Sequence, residues 1–320
     1  MALFQKTSLQ QDLNTGFGTN ANNTGGRFLN RDGMPNVVKK GVSIIDRFSW
    51  YHTMLGMPRG KFLLLLFSIY VLINIVFAGI YFLIGSEHLA GIDHQQPLRE
   101  FMEVFFFSTQ TFTTVGYGRI SPVGFLTSSV ATFEAFLGLL CFAIATGLFY
   151  GRFSRPRIFL RFSDNALIAP YREGLALMFR IAPYKNNNLS DVDVKLTMAV
   201  TTEENGRLTD RFYDLDLEFS HISGLSLSWT IVHPINEKSP LYGWTREDIA
   251  STDLEVMVYI KAFDQVFSNN VITRTSYISP EIIWGARFKM MFEPNADKSK
   301  TILDLRKLND IEMVDLISKP

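Results

Sequence analysis

The sequence predicts an α+β membrane protein, in which two transmembrane helices with a re-entrant helix between them precede a cytoplasmic immunoglobulin-like β-sandwich. Two observations support this fold class. The first half of the chain contains two long apolar runs, 62–84 and 123–150, and the second half contains short segments of alternating apolar and polar residues. A run of about 20 apolar residues can cross a bilayer as a helix, and alternation with period two is typical of strands.

The two apolar runs are predicted to span the membrane. The run 62–84 contains no charged residue, and the run 123–150 contains only Glu134. A helix of a soluble protein rarely stays apolar on every side for so long. Basic residues cluster before the first run and after the second, whereas only Arg99 and Arg119 lie between them. This pattern predicts a multi-pass protein of the plasma (inner) membrane with both termini cytoplasmic.

The remaining parts of the chain are assigned from composition and periodicity. Residues 1–40, rich in Asn, Gly, Gln and Thr, are predicted to be a disordered cytoplasmic N-terminus. Residues 41–157 are predicted to be the transmembrane domain and to begin with an interfacial slide helix at 43–56, although an ordinary amphipathic helix packed on protein would show the same pattern. Residues 158–295 are predicted to be the β-sandwich, and 296–320 a C-terminal tail without assigned structure.

The sandwich prediction depends on strand-like alternation and one turn signal. Asn205-Gly206 is a typical hairpin turn. The alternating segments are 192–200, 215–219, 225–231 and 254–260. The formal net charge of zero gives no electrostatic reason to expect a nucleic-acid partner.

A short helix and a glycine-containing run lie between the two spans. Residues 98–112 are too short to cross the membrane and follow Pro97, so they predict a re-entrant helix. Residues 113–118 read Thr-Thr-Val-Gly-Tyr-Gly. Glycine adopts positive φ at little cost, so glycines that alternate with other residues can turn successive carbonyls toward one axis.

The run Thr-Val-Gly-Tyr-Gly is the established sequence of potassium-selectivity filters, so its role is identified from a known motif. The predicted K⁺ ligands are the carbonyls of Thr114, Val115, Gly116 and Tyr117 and the Thr114 hydroxyl, with Gly118 ending the run. One chain supplies only one wall of the ion pathway, and filters of this type are built from four loops around one axis. The motif therefore predicts a homotetramer. K⁺ is the transported ion, and no other cofactor is expected. The alternative is an ordinary glycine turn in a membrane loop.

Five further motifs follow one another along the chain. They are Phe-Phe-Phe-Ser-Thr-Gln-Thr at 105–111, Gly-Arg-Phe-Ser-Arg-Pro-Arg at 151–157, Ser-Pro-Leu-Tyr-Gly at 239–243, Arg-Thr-Ser-Tyr at 274–277 and Glu-Ile-Ile-Trp-Gly-Ala-Arg-Phe at 281–288. Together with the filter, they resemble inward-rectifier potassium channels, most closely the prokaryotic branch of that family.

The resemblance implies a pore lining on the second span. Gly138, Phe142, Thr146 and Tyr150 follow one another at i, i+4 steps and so share one drifting face of a helix. In the family this face lines the pore, with a hinge glycine at Gly138 and an inner gate at Tyr150. The alternative for the two aromatic residues is helix packing or an interfacial position. Glu134 is either a functional intramembrane acid or a neutral carboxyl hydrogen-bonded behind the filter.

The chain also departs from the eukaryotic members that it resembles. It has a single cysteine and therefore lacks their cysteine pair beside the pore segment. Gln110 replaces an acid of the pore helix, and Phe142 replaces the acid that attracts Mg²⁺ and polyamines in strong rectifiers. The resemblance therefore implies that internal Mg²⁺ and polyamines are weak blockers.

The resemblance further implies sites on the cytoplasmic side. Basic residues near the membrane attract anionic lipids, including phosphoinositides, although the positive-inside bias alone would explain them. The candidate lipid-binding residues are Arg152, Arg155, Arg157 and Lys185. Asp191 and Asp264, next to Gln265, are candidates for an acidic cytoplasmic vestibule, with plain solvated surface as the alternative.

Three other classes of protein are alternatives to a potassium channel. A membrane-anchored enzyme is disfavoured, because the sequence has no spaced metal ligands, nucleophile elbow or phosphate loop. His221 and His233 lack partners at metal-ligand spacing and are expected to be structural. A ligand-binding sensor that does not conduct ions remains an alternative. The intact Val-Gly-Tyr-Gly argues against a non-selective cation channel.

Overall fold

A computed structural model describes residues 26–43, 49–94, 96–156, 158–185, 189–204 and 207–316. The chain divides into two compact units. The pore unit comprises Lys40–Arg155, and the β unit comprises Pro156–Pro320 together with Met1–Lys39, each within the described residues.

The pore unit contains four helices. They are α1 (Trp50–Gly56), α2 (Arg59–Ile84), α3 (Pro97–Phe112) and α4 (Phe125–Phe153). Within the described residues, α2 and α4 are the two helices long and apolar enough to cross a membrane, with 26 and 29 residues. Their bounds lie within three residues of the predicted spans. Of the predicted slide helix, α1 is the described part, and residues 44–48 lie outside the described residues.

The re-entrant segment begins and ends as its sequence requires. Pro97 occupies the first turn of α3, where a missing N–H costs no hydrogen bond. Two short antiparallel strands, β1 (Leu89–Ala90) and β2 (Ser121–Pro122), pair on either side of the segment. The apolar core of the unit joins α2, α3 and α4, and its buried members are Phe77, Ala78, Tyr81, Leu89, Val104, Phe107 and Ala131.

The β unit is a sandwich of two five-stranded sheets, which confirms the predicted fold class. The first sheet contains β6 (Leu189–Glu204), β7 (Arg207–Leu215), β8 (His221–Leu225), β10 (Leu254–Asp264) and β11 (Asn269–Ile278). The second contains β3 (Leu160–Phe162), β4 (Ala166–Tyr171), β5 (Gly174–Pro183), β9 (Trp229–Ile235) and β12 (Ile282–Trp284). Short α5 (Arg246–Ser251) precedes β10. Alternate residues of the strands, such as Phe179 and Val256, are buried in one core, as the period of two requires.

Two of the predicted strand segments differ from the structure. Leu217 and Phe219 follow the end of β7, because alternation continues past the last ladder pair of that strand. The segment 225–231 is divided between β8 and β9, which belong to different sheets. The predicted turn at Asn205-Gly206 lies outside the described residues, although the strands beside it pair with one another, Glu204 opposite Arg207.

The prediction of disorder over residues 1–40 is wrong for its last part. Phe28 and Leu29 are buried on the β unit, and the Glu255 carboxylate accepts both of their backbone N–H groups at 2.6 and 3.0 Å. Arg27 forms an ion pair with Glu281 at 2.6 Å. The polar composition of this segment gave no indication of ordered structure. Two apolar residues and two long-range carboxylates are enough to hold it on the β unit, and they form no periodic pattern.

The C-terminal tail also belongs to the fold. Strands β13 (Ala286–Phe288) and β14 (Phe292–Pro294) pair with β16 (Ile311–Met313) and β15 (Thr301–Leu303), respectively. Leu308 is buried with Ala182 and Met291 in a small separate core. The β unit therefore continues beyond the predicted boundary at residue 295, to at least residue 313.

Candidate functional site

The run between α3 and α4 has an alternating backbone. Thr114, Gly116 and Gly118 have φ of 59°, 53° and 80°. Left-handed and extended or right-handed residues in alternation direct successive carbonyl groups to the same side of the chain. Positive φ is nearly free for glycine, but for Thr114 it costs about 1–2 kcal/mol, so the surroundings must hold that residue in place.

The end of α3 holds this backbone. The Gln110 carbonyl accepts the N–H of Val115 at 2.9 Å and that of Gly116 at 3.4 Å, and the Thr111 carbonyl accepts the N–H of Thr114 at 3.0 Å. The N–H groups at the start of the run therefore point to α3, and Gln110 contributes through its main-chain carbonyl. The negative end of the α3 dipole lies beside the run, which favours a cation there.

The carbonyl groups of residues 113–118 have a different environment. Among the described residues, none of these oxygens accepts a hydrogen bond, and all six residues are exposed in the single chain. An unpaired carbonyl at membrane depth must be satisfied by protein, by a water-filled path or by an ion. The arrangement presents a row of oxygen ligands suited to a hard cation.

A buried polar cluster lies behind the run. Glu134 of α4 is fully buried and accepts hydrogen bonds from the hydroxyls of Tyr81 at 2.7 Å and Ser108 at 2.5 Å. Ser108 also lies 3.0 Å from the Asn74 side-chain oxygen. The cluster ties α2, α3 and α4 together. It supports the hydrogen-bonded role for Glu134 over an ion-facing one.

Three of the four predicted pore-lining residues share an exposed face of α4. Phe142, Thr146 and Tyr150 are exposed in the single chain, at 74% for Phe142 and 75% for Tyr150. Gly138 is buried, and a Cβ built on it would lie 1.9 Å from the Phe112 carbonyl oxygen. The assignment of Gly138 to the same lining face is therefore corrected: the i, i+4 face drifts around the helix, and the glycine makes room for the end of α3.

The described candidate lipid-binding residues differ in their immediate contacts. The Arg152 guanidinium donates to the carbonyls of Met54, at 3.1 Å, and Met57, so its donors join α4 to the end of α1. Arg155 is exposed, and the Lys185 ammonium lies 4.0 Å from the centre of the Phe159 ring. Arg157 lies outside the described residues.

The two vestibule candidates also differ from each other. Asp191 is exposed, which agrees with a vestibule and with plain surface alike. Asp264 is 1% exposed, and its carboxylate accepts the N–H groups of Val266 at 2.8 Å and Phe267 at 3.3 Å. The vestibule assignment of Asp264 is therefore wrong, because this carboxylate caps the turn between β10 and β11. Gln265 beside it is exposed.

Sequence reasoning missed an ion pair next to the run. Arg119 follows Gly118 directly, and its Nη2 lies 2.7 Å from Oε1 of Glu103 in α3. The hydrogen bond from Arg119 is the main cause that lowers the pKa of the Glu103 carboxyl below its ordinary value. The sequence does contain one indication of this pair, since Arg119 is one of only two Lys or Arg residues between the spans.

The histidines of the β unit have structural partners. His233 is buried between the Asp216 carbonyl and the Ser239 hydroxyl, at 2.6 and 2.8 Å. His221 contacts the Asp193 carboxylate at 2.9 Å. Within the described part of the chain, no group of three or more His, Cys, Asp or Glu side chains is arranged to hold a metal ion.

Comparison with protein families gives two matches. The model described as "Inward rectifier potassium channel C-terminal domain" matches residues 160–320, and the model described as "Ion channel" matches residues 68–155. Together they cover both units.

Three characterised proteins are similar to this chain. The inward rectifier potassium channel Kirbac3.1 of Paramagnetospirillum magnetotacticum is 34% identical over 89% of this chain and 95% of its own length. The ATP-sensitive inward rectifier potassium channel 12 of Gallus gallus is 30% identical over 73% of this chain and 60% of its own length. The inward rectifier potassium channel 18 of Homo sapiens is 28% identical, with 73% of this chain and 59% of its own length covered.

Proposed function

This chain belongs to the inward rectifier potassium channel family, and we propose that it conducts K⁺ selectively and passively across the membrane as a homotetramer. Proteins of the matched families are ion channels, so the chain is not an enzyme. In the proposed assembly four copies of residues 113–118 surround one axis, and the carbonyls of Thr114 to Tyr117 replace the water around K⁺.

One observation carries this proposal. The six residues 113–118 alternate in backbone handedness, and none of their carbonyls accepts a hydrogen bond within the described part of the chain. A closed symmetric ring would supply these oxygens with an ion instead of a donor. A ligand-binding sensor would have no need for such a row of free acceptors.

A flux experiment tests the function. The purified protein is reconstituted into liposomes, and uptake of rubidium is measured while external K⁺ or Na⁺ competes. We expect K⁺ to inhibit the uptake strongly and Na⁺ to inhibit it weakly. No uptake above that of empty liposomes, in protein shown to be tetrameric, would favour the sensor. Equal competition by the two ions would favour a non-selective channel.

The proposed inner gate lies at Tyr150. Four exposed phenol rings at the inner end of α4 would converge into a narrow, poorly wetted constriction. Anionic lipid near Arg155 could shift the helix ends and so change its width. The joined ends of α1 and α4, through Arg152, offer one path for such a shift within the pore unit.

Tyr150→Ala is expected to raise basal rubidium uptake and to weaken its response to anionic lipid, without a change in selectivity. Smaller side chains widen the constriction, and the filter is untouched. Uptake is measured across a titration of phosphoinositide, for this variant and for Phe125→Ala, which removes an exposed aromatic ring at the opposite end of α4. Wild-type uptake and lipid response in a tetrameric Tyr150→Ala protein would refute the gate assignment.

Block by internal cations is proposed to be weak, because Phe142 offers no charge on the exposed face of α4. Phe142→Asp is expected to strengthen block by internal Mg²⁺ and spermine, since it adds one carboxylate per subunit to the cavity. Block is measured as current against voltage in planar bilayers, with Phe142→Asn as the uncharged control. Identical block in the two variants would mean that residue 142 does not face the pore.

A further inference from the structure

The outer end of the filter is held by an ion pair within the pore unit. The Arg119 guanidinium and the Glu103 carboxylate are 2.7 Å apart and 16 positions apart in the chain. Glu103 lies in the second turn of α3, and Arg119 lies directly after the last filter residue. The pair therefore links the two ends of the segment that consists of α3 and the filter.

The environment of Glu103 favours a fixed position. Its side chain is only 11% exposed, and its second oxygen, Oε2, accepts the backbone N–H of Asp93 at 3.1 Å. A buried carboxylate with two charge-assisted or backbone donors is held more firmly than an exposed one. Beyond Arg119 the chain continues into β2, which pairs with β1, and the Val123 N–H donates to the His88 carbonyl at 2.8 Å. The filter exit is thus anchored on both sides.

We propose that the Glu103–Arg119 pair is an outer brace that keeps the filter in its conducting geometry, which makes both side chains positioning residues for K⁺ selectivity. This inference rests on the proposed K⁺ conduction. The inner end of the filter is held by the carbonyls of α3, but the exposed residues 117–118 have no hydrogen bond to α3 among the described residues. The brace supplies the constraint at that end.

A simple surface-charge effect makes a different prediction from a brace. Glu103→Gln makes the outer mouth more positive, whereas Arg119→Gln makes it more negative. If charge alone mattered, the two variants would change K⁺ entry in opposite directions, and high salt would suppress both changes. If the pair is a brace, both variants lose the same constraint and change selectivity in the same direction.

The test is a double-mutant cycle in liposomes, with uptake of rubidium competed by K⁺ or Na⁺. We expect the preference for K⁺ over Na⁺ to fall by about tenfold in each single variant, the double variant Glu103→Gln/Arg119→Gln to be no worse than either, and the swapped variant Glu103→Arg/Arg119→Glu to regain part of the preference. Arg99→Gln is the matched control, because Arg99 is similarly exposed and pairs only loosely with Asp93, at 3.5 Å.

A second measurement does not depend on flux. K⁺ bound to the filter raises the unfolding temperature of the tetramer by mass action. We expect the difference in unfolding temperature between K⁺ and Na⁺ buffers to shrink in both single variants and to stay at the wild-type value in Arg99→Gln. Opposite changes in the preference for K⁺ over Na⁺ in the two single variants, or a wild-type preference in both, would refute the proposed role of the pair. A wild-type protein without selective uptake would instead refute the proposed function.

Discussion

Replacement of Gly116 or Gly118 by alanine is expected to abolish selective K⁺ uptake. Both glycines have positive φ, 53° and 80°, which an alanine adopts at a cost of about 1–2 kcal/mol per subunit. In the proposed fourfold ring this cost would be repeated in every subunit, and we expect the chain to relieve it by rotating a carbonyl away from the axis. Since a barrier change of about 1.4 kcal/mol is tenfold in rate, the loss should be large.

The measurement is rubidium uptake competed by K⁺ or Na⁺, with Gly124→Ala as the control. Gly124 has a φ of 87° and a ψ of 165°, a conformation essentially restricted to glycine, and open space around it, so alanine there carries at least as much backbone strain outside the filter. We expect the control to keep its preference for K⁺ even if its stability falls. Normal preference in both filter variants would show that residues 113–118 do not coordinate the ion.

The sequence was sufficient for features that repeat or that form a known motif. Uninterrupted apolar runs predicted α2 and α4, because the bilayer demands length and low polarity from every residue. Alternation predicted β6 and β10, because each strand of a sandwich buries every second side chain. The filter was identified from six consecutive residues.

Features made by single long-range contacts were not predictable in this way. The docking of Phe28 and Leu29 depends on one buried carboxylate, Glu255, which is more than 220 positions away in the chain. The brace between Glu103 and Arg119 depends on how the re-entrant segment closes. Neither contact produces a periodic pattern in the sequence, since each involves only one or two residues from each side.

Individual site residues were misassigned where a place in a residue series, or next to a matched residue, was the only basis. Asp264 was a vestibule candidate because it lies next to Gln265, but it is turned inward, because the tight turn after β10 needs an acceptor for two N–H groups. Gly138 followed the i, i+4 series of the lining face. A series of fours advances by 400° rather than 360° per step, so its first member faces a different neighbour from its last.

Gly138→Ala adds one methyl group to α4, and we expect it to lower selectivity and stability more than a methyl group added elsewhere in that helix. The added Cβ would lie 1.9 Å from the Phe112 carbonyl oxygen, 2.8 Å from its carbon and 3.2 Å from its Cα. These are main-chain atoms at the end of α3, so no side chain can rotate away. The helices must separate by more than about 1 Å to reach ordinary contact distances near 3.5 Å. Phe112 directly precedes the filter, so the displacement reaches Thr113 and Thr114.

This packing role and a hinge role predict different results. A hinge that loses flexibility would change the frequency of opening and leave the preference for K⁺ over Na⁺ intact. A displaced α3 would lower that preference and would destabilise the tetramer by about 1–3 kcal/mol per subunit, the usual cost of overpacking. Competed rubidium uptake and thermal unfolding in detergent separate the two outcomes.

Gly147→Ala is the matched control within the same helix. Gly147 has no atom within 4 Å of its built Cβ, and alanine in a helix is favoured over glycine by about 1 kcal/mol. We expect this variant to keep its selectivity and to unfold at the wild-type temperature or slightly above it. Reduced selectivity in Gly138→Ala but not in Gly147→Ala would identify the contact with Phe112 as the reason for a glycine at position 138. Unchanged selectivity and stability in Gly138→Ala would mean that the two helices have room to separate without moving the filter.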